Sequence, residues 1–100
     1  MITKDFEVAQ EIFSLISDGI VNGYDSFSFK AEVHSNYIES ELLVSVEGGE
    51  VSNAETDFNR ANLYELLEKF KRGFADRGEN WKAFTMTHTQ GGKVETHFEY

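Results

Sequence analysis

Residues 26–33 alternate without a break: Phe27, Phe29, Ala31 and Val33 are apolar, and Ser26, Ser28, Lys30 and Glu32 between them are polar. A period of two sends each set to one face of a strand, so this segment reads as a strand with one dry face and one wet face. A second strand is expected over about 37–47. Ile38, Leu42, Val44 and Val46 fall on one face, and Tyr37, Glu39, Glu41, Leu43, Ser45 and Glu47 on the other. A tight turn at Ser35-Asn36 then sets Val33 opposite Ile38, Phe29 opposite Leu42 and Phe27 opposite Val44. A slip of one residue would turn each apolar set to water, so the pattern itself specifies the register.

The period changes to that of a helix on either side of this pair. Phe6, Ala9, Ile12, Phe13 and Ile16 recur at three- and four-residue spacing over Thr3 to Asp18, with Thr3 as the expected N-cap and Gly19 as the expected C-terminal cap. A second helix runs from near Asn59 to about Phe74 on a stripe of Leu63, Leu66, Leu67, Phe70 and Phe74. Gly48-Gly49 ends the second strand, and 50–57 read as a short edge strand followed by loop. The last twenty residues, from Trp81 to Tyr100, form a hairpin. A three-residue loop, Gln90-Gly91-Gly92, sets Phe84 opposite Phe98, Met86 opposite Thr96 and His88 opposite Val94. A two-residue loop would set Phe84 against Glu99. The longer loop keeps the apolar residues together, with Gly92 supplying the left-handed position. The expected fold is α+β: an antiparallel sheet of four to five strands with two helices packed on one face, in the order α-β-β-(β)-α-β-β, forming a single domain over 1–100.

Composition narrows the function classes. The chain has no cysteine, which removes disulfides, thiolate metal ligands and thiol nucleophiles. Its N-terminus lacks the basic flank and apolar run of a signal peptide, and no apolar run reaches membrane-spanning length, so a cytoplasmic protein is expected. The net charge is −9 and it is uneven. Residues 23–57 carry Asp25, Glu32, Glu39, Glu41, Glu47, Glu50, Glu55 and Asp57 against Lys30 alone, whereas six of the bases fall within 58–82. That balance argues against a nucleic-acid backbone as partner and suits a basic protein. His34, His88 and His97 show no metal-ligand spacing, and no phosphate-binding loop or nucleophile elbow is present, so neither cofactor, metal nor catalytic residue is expected.

The wet faces hold the candidate contacts. The register places Glu32 directly opposite Glu39, and facing like charges cost a few tenths to about 1 kcal/mol. Lys30 opposite Glu41 offsets part of this. The acids are either a solvated face or a patch kept for a basic partner. Trp81 falls on the outer face of the terminal hairpin, where it is either covered by a loop or a contact anchor; Tyr37 and Leu43 pose the same choice. If the sheet order brings these three together, they form an apolar centre ringed by acids.

The second helix and terminal hairpin resemble a known family. Leu63-Tyr64-Glu65-Leu66-Leu67-Glu68-Lys69-Phe70, Phe74, Asn80-Trp81-Lys82-Ala83-Phe84-Thr85-Met86, Gly91-Gly92-Lys93-Val94 and Phe98-Glu99-Tyr100 are similar to the YezG-like family of small immunity proteins. The chain departs from the family pattern in having no proline near its middle loop. The resemblance implies a non-enzymatic protein that binds a cognate secreted or contact-dependent bacterial toxin, a basic nuclease domain, one-to-one. It transfers no contact residue. The strand reading supplies Glu32, Glu39, Glu41 and Glu47 as electrostatic contacts and Tyr37, Leu43 and Trp81 as apolar anchors. An acidic adaptor for another basic protein is the alternative, and homo-oligomerisation is left open.

Overall fold

The computed structural model describes residues 3–51 and 53–100. Helix α1 (Thr3–Gly19) leads into β1 (Ser26–Val33), β2 (Ile38–Val46) and the short β3 (Gly49–Val51). Helix α2 (Arg60–Ala75) then crosses to β4 (Ala83–Thr89) and β5 (Glu95–Glu99). The five strands form one sheet in the order β3-β2-β1-β4-β5, and every neighbouring pair is antiparallel. The α+β layout expected from the alternation is the one observed.

Both hairpin registers also hold. Val33 pairs with Ile38, Phe29 with Leu42 and Phe27 with Val44, while Phe84 pairs with Phe98 and Met86 with Thr96. The reason is burial: Phe27, Phe29, Ala31, Val44, Phe84 and Met86 are at most 3% exposed and meet Ile12 and Ile16 of α1 and Leu63, Leu67, Phe70 and Phe74 of α2. Each fully buried side chain of this size contributes about 1.5–3 kcal/mol, so turning one strand over would forfeit several at once. Asn59 caps α2, its side-chain oxygen accepting from the Asn62 N–H at 3.1 Å. Thr3 opens α1, but its side chain, and with it the expected cap, lies outside the described residues.

Four expectations are corrected. Gly19 ends α1, yet its need for glycine is a close approach: a Cβ there would sit 2.7 Å from the Phe58 side chain. The joint is fastened by the Asp57 N–H to the Gly19 carbonyl at 2.8 Å and the Val21 N–H to the Glu55 carbonyl at 3.0 Å. In the β4–β5 turn Gly91, not Gly92, takes the left-handed conformation (φ 81°), with the Gly92 N–H closing onto the Thr89 carbonyl. Phe6 is 59% exposed, because the buried stripe of α1 runs through Asp5, Val8, Ala9, Ile12 and Ile16 instead.

Trp81 is the fourth. It is 3% exposed and packs within 5.2 to 6.4 Å of the Phe84, Phe70 and Phe98 ring centroids, on the helix side of the sheet. The chain bends at Lys82. Lys82 and Ala83 both stand against Glu99: the Lys82 N–H donates to the Glu99 carbonyl at 2.6 Å, while Ala83 is the register partner of Glu99. That one-residue bulge breaks the alternation and returns Trp81 to the core.

Asp5 enters the core because Arg77 meets it there. The Arg77 Nη2 donates to Asp5 Oδ2 and its Nη1 to the Gly73 carbonyl at 2.7 Å, while the guanidinium lies 4.9 Å from the Phe74 ring centroid. This clamp ties the start of α1 to the end of α2. Asp5 is 5% and Arg77 28% exposed at the side chain, so the carboxylate is the costlier group to leave without its counter-charge. Arg77→Ala is therefore expected to lower unfolding free energy by about 3 kcal/mol, and Asp5→Ala by less, because Arg77 can turn to water. Urea denaturation of both variants checks this; equal losses would show that the burial asymmetry has no effect.

Candidate functional site

The helices cover one face of the sheet, and the register lays out the other in rows. Across β3, β2, β1 and β4 runs Glu50–Ser45–Ser26–Thr89; the remaining rows, across β2, β1, β4 and β5, are Leu43–Ser28–Thr87–Glu95, Glu41–Lys30–Thr85–His97 and Glu39–Glu32–Ala83–Glu99. The carboxylates of Glu32, Glu39, Glu41, Glu50, Glu95 and Glu99 thus share these rows with the single ammonium of Lys30. The facing of Glu32 and Glu39 is as expected from the alternation.

At the tip of the β1–β2 hairpin an imidazole stands beside the facing pair. The His34 Nε2 lies 3.2 Å from Glu39 Oε2 and 3.9 Å from Glu32 Oε1, so the ring adjoins both carboxylates. Tyr37 stacks on that imidazole, with ring centroids 4.6 Å apart and planes 19° from parallel, and the His34 N–H donates to the Tyr37 carbonyl at 2.8 Å. Tyr37 is nonetheless 59% exposed. An exposed aromatic already held by a stack and a turn loses little freedom on meeting a partner. His34 was absent from the expected contacts, although its position two residues beyond Glu32 places it on the same face as the Glu32–Glu39 pair.

The other candidates separate. Leu43 is half-buried in a row with Ser28 and Thr87, away from Tyr37, and Trp81 is in the core beneath the sheet, so the three make no common apolar centre. Trp81 has no surface to offer a partner. Glu47 lies beyond β2: with Gly48 it forms the two-residue turn into β3, both residues at positive φ (51° and 79°), and Val46 pairs with Gly49. The Glu47 N–H donates to Asp25 Oδ2 at 2.6 Å. Glu47 therefore marks the end of the sheet remote from Tyr37.

Residues 13–100 match the family described as immunity protein YezG-like. The chain belongs to this family. No curated protein matches the chain. For a YezG-like immunity protein, whose family implies a toxin as partner, the bare sheet face is the side of the sheet that the helices leave uncovered, with charge of mainly one sign. The match also reaches well beyond the second helix and terminal hairpin that carry the resemblance, back into α1.

The helix side differs. Between α1 and α2 lies an open groove of about 790 Å³, with Leu15, Phe58 and Leu66 on its floor and Glu11, Asp18 and Lys69 among its rim groups. It lies between the helices, not between helices and sheet. Inside the fold, Ser17 Oγ and Tyr24 Oη lie 2.7 Å apart and Tyr24 Oη and His88 Nδ1 2.9 Å, tying α1, the following loop and β4 together beside Phe13 and Phe27. Among the described residues no three His, Asp or Glu side chains group to hold a metal ion, and no helix is long and apolar enough to cross a membrane.

The turn offers a direct check. A non-glycine residue in the left-handed region costs about 1 kcal/mol, less for Asn. Glu47→Asn is expected to raise stability by about 0.5–1 kcal/mol, seen as a melting temperature higher by several degrees. An unchanged or lower melting temperature would show that the Glu47 side chain compensates for its backbone.

Proposed function

We propose that this chain is a cytoplasmic antitoxin that binds its cognate toxin one-to-one and neutralises it, and that the toxin domain is a basic nuclease. Family membership supports the immunity role. The observation that carries the finer reading is the sheet face, where six glutamates share the strand rows with Lys30 alone. A nuclease must present lysines and arginines to a phosphate backbone, and a carboxylate-rich face steers such a domain into contact and competes for those cations. In this reading Glu32, Glu39 and Glu41 carry the electrostatic contact, Tyr37 and Leu43 the apolar one, and Glu47 reaches the partner from the far end of the sheet. Trp81 supports the face from below. The contact is between proteins, with no reaction performed by this chain.

The test is co-expression with the protein encoded immediately beside it. That neighbour should arrest growth alone, be harmless with this chain and co-purify with it one-to-one. Glu39→Lys with Glu41→Lys should weaken the complex by roughly tenfold or more, chiefly through slower association, and flatten its salt dependence. Trp81→Phe should leave affinity unchanged, since the core ring is kept. A harmless neighbour, or no complex, would sink the immunity reading; full affinity in the double variant would move the contact off this face.

A further inference from the structure

We propose that the free edge of β5 receives a strand from the partner protein, an extended segment that alternates Lys or Arg with apolar residues. Three independent features of the edge lead to it.

The first is backbone. Among the described residues β5 pairs only with β4, so its far side is open. Glu99 turns its carbonyl toward β4, where it accepts from the Lys82 N–H. By the alternation of an antiparallel ladder, Thr96 and Phe98 turn their N–H and C=O groups outward. The opposite edge of the sheet, β3, is three residues long and offers far less.

The second is the side-chain pattern along the edge. Phe98 packs 5.0 Å from Phe74 and is half-buried, and it is flanked by exposed Val94 (38%) and Tyr100 (60%), which fall on the same face by alternation. An added strand with apolar residues at every second position would continue the core over them. On the other face stand Glu95, His97 and Glu99, which cations at the intervening positions would meet. The edge therefore reads an amphipathic strand of defined charge.

The third feature weighs against the simplest rival. Pairing β5 with β5 of a second copy, antiparallel about His97, would set Glu95 opposite Glu99 twice. Facing like charges are disfavoured, so that register is unfavourable for a second copy, whereas a basic strand meets the same glutamates with opposite charge.

The proposal rests on the immunity reading only for the statement that the strand belongs to the toxin, and its test needs no toxin. The probe is a short synthetic peptide alternating lysine with valine, titrated into the ¹⁵N-labelled protein. The amides of 94–100 should shift, with Thr96 and Phe98 gaining protection from exchange. N-methylation of the peptide at the edge-facing amides should abolish binding, and a glutamate–valine peptide should not bind. Glu95→Lys with Glu99→Lys should weaken the lysine peptide by roughly three- to tenfold and admit the glutamate peptide. Shifts centred on Glu39 and Glu41, binding that survives N-methylation, or self-association of the unliganded protein through β5 would each overturn the proposal. A toxin neutralised while the edge stays silent would overturn the edge alone. A peptide bound at the edge beside a harmless neighbour would overturn the toxin assignment alone.

Discussion

Strand β1 is the constraint on which the rest depends. It is paired along its length on both sides, to β2 and to β4, and its uninterrupted alternation decides which face of three strands is dry. Phe27, Phe29 and Ala31 point into the core at 3, 1 and 0% exposure, and through the two registers they commit Val44, Phe84 and Met86 to the same side. Once that side is fixed, both helices must cover it, because their apolar stripes have no other surface to bury against. The opposite face is left with no packing role. Its residues are therefore free to be charged, and they are.

What alternation controls was legible in the sequence. The two hairpin registers, the facing of Glu32 and Glu39 and the α2 stripe all follow from period two or from the three- and four-residue helical spacing, and each places residues whose burial enforces the choice. What was not legible depends on a single residue breaking a period. Counting back from Phe84 by alternation puts Trp81 outside, and the bulge at Lys82 and Ala83 against Glu99 reverses that count. Alternation extends the second strand through Glu47, but Glu47-Gly48 is the turn, because the chain returns beside β2 as β3. Sequence offers Gly19 only as a cap, and the approach of Phe58 reveals its use. Asp5 lies outside the apolar stripe read for α1, and its burial is explained only by Arg77, distant in sequence. Bulges and long-range ion pairs leave no periodic trace.

The charge on the bare face has a cost in the isolated fold. Glu32 and Glu39 face one another at up to about 1 kcal/mol of repulsion, and His34 lies between their carboxylates and the stacked ring of Tyr37. A chain selected for stability alone would gain by replacing one of the two glutamates. The same holds for the left-handed Glu47 at a turn that favours Asn. Deviations from the locally best residue at the two ends of the β1–β2 hairpin are what a binding role would produce, since side chains chosen for a partner are not chosen for the isolated fold.

The layer architecture then limits how a partner can approach. Two helices occupy one side of a five-stranded sheet, so a partner that engages the sheet itself has either the bare face or an open edge. The two are not alternatives here, because Glu95, His97 and Glu99 of the β5 edge end the same rows that begin with Leu43, Glu41 and Glu39 on β2. A strand added to β5 would extend those rows rather than cover them. Its carrier domain would then be held beside a carboxylate-rich surface at a separation fixed by the ladder, about 4.8 Å per strand. Backbone pairing would supply orientation and the rows of glutamates the long-range attraction, two requirements that one sheet can meet only because its other face is closed by the helices.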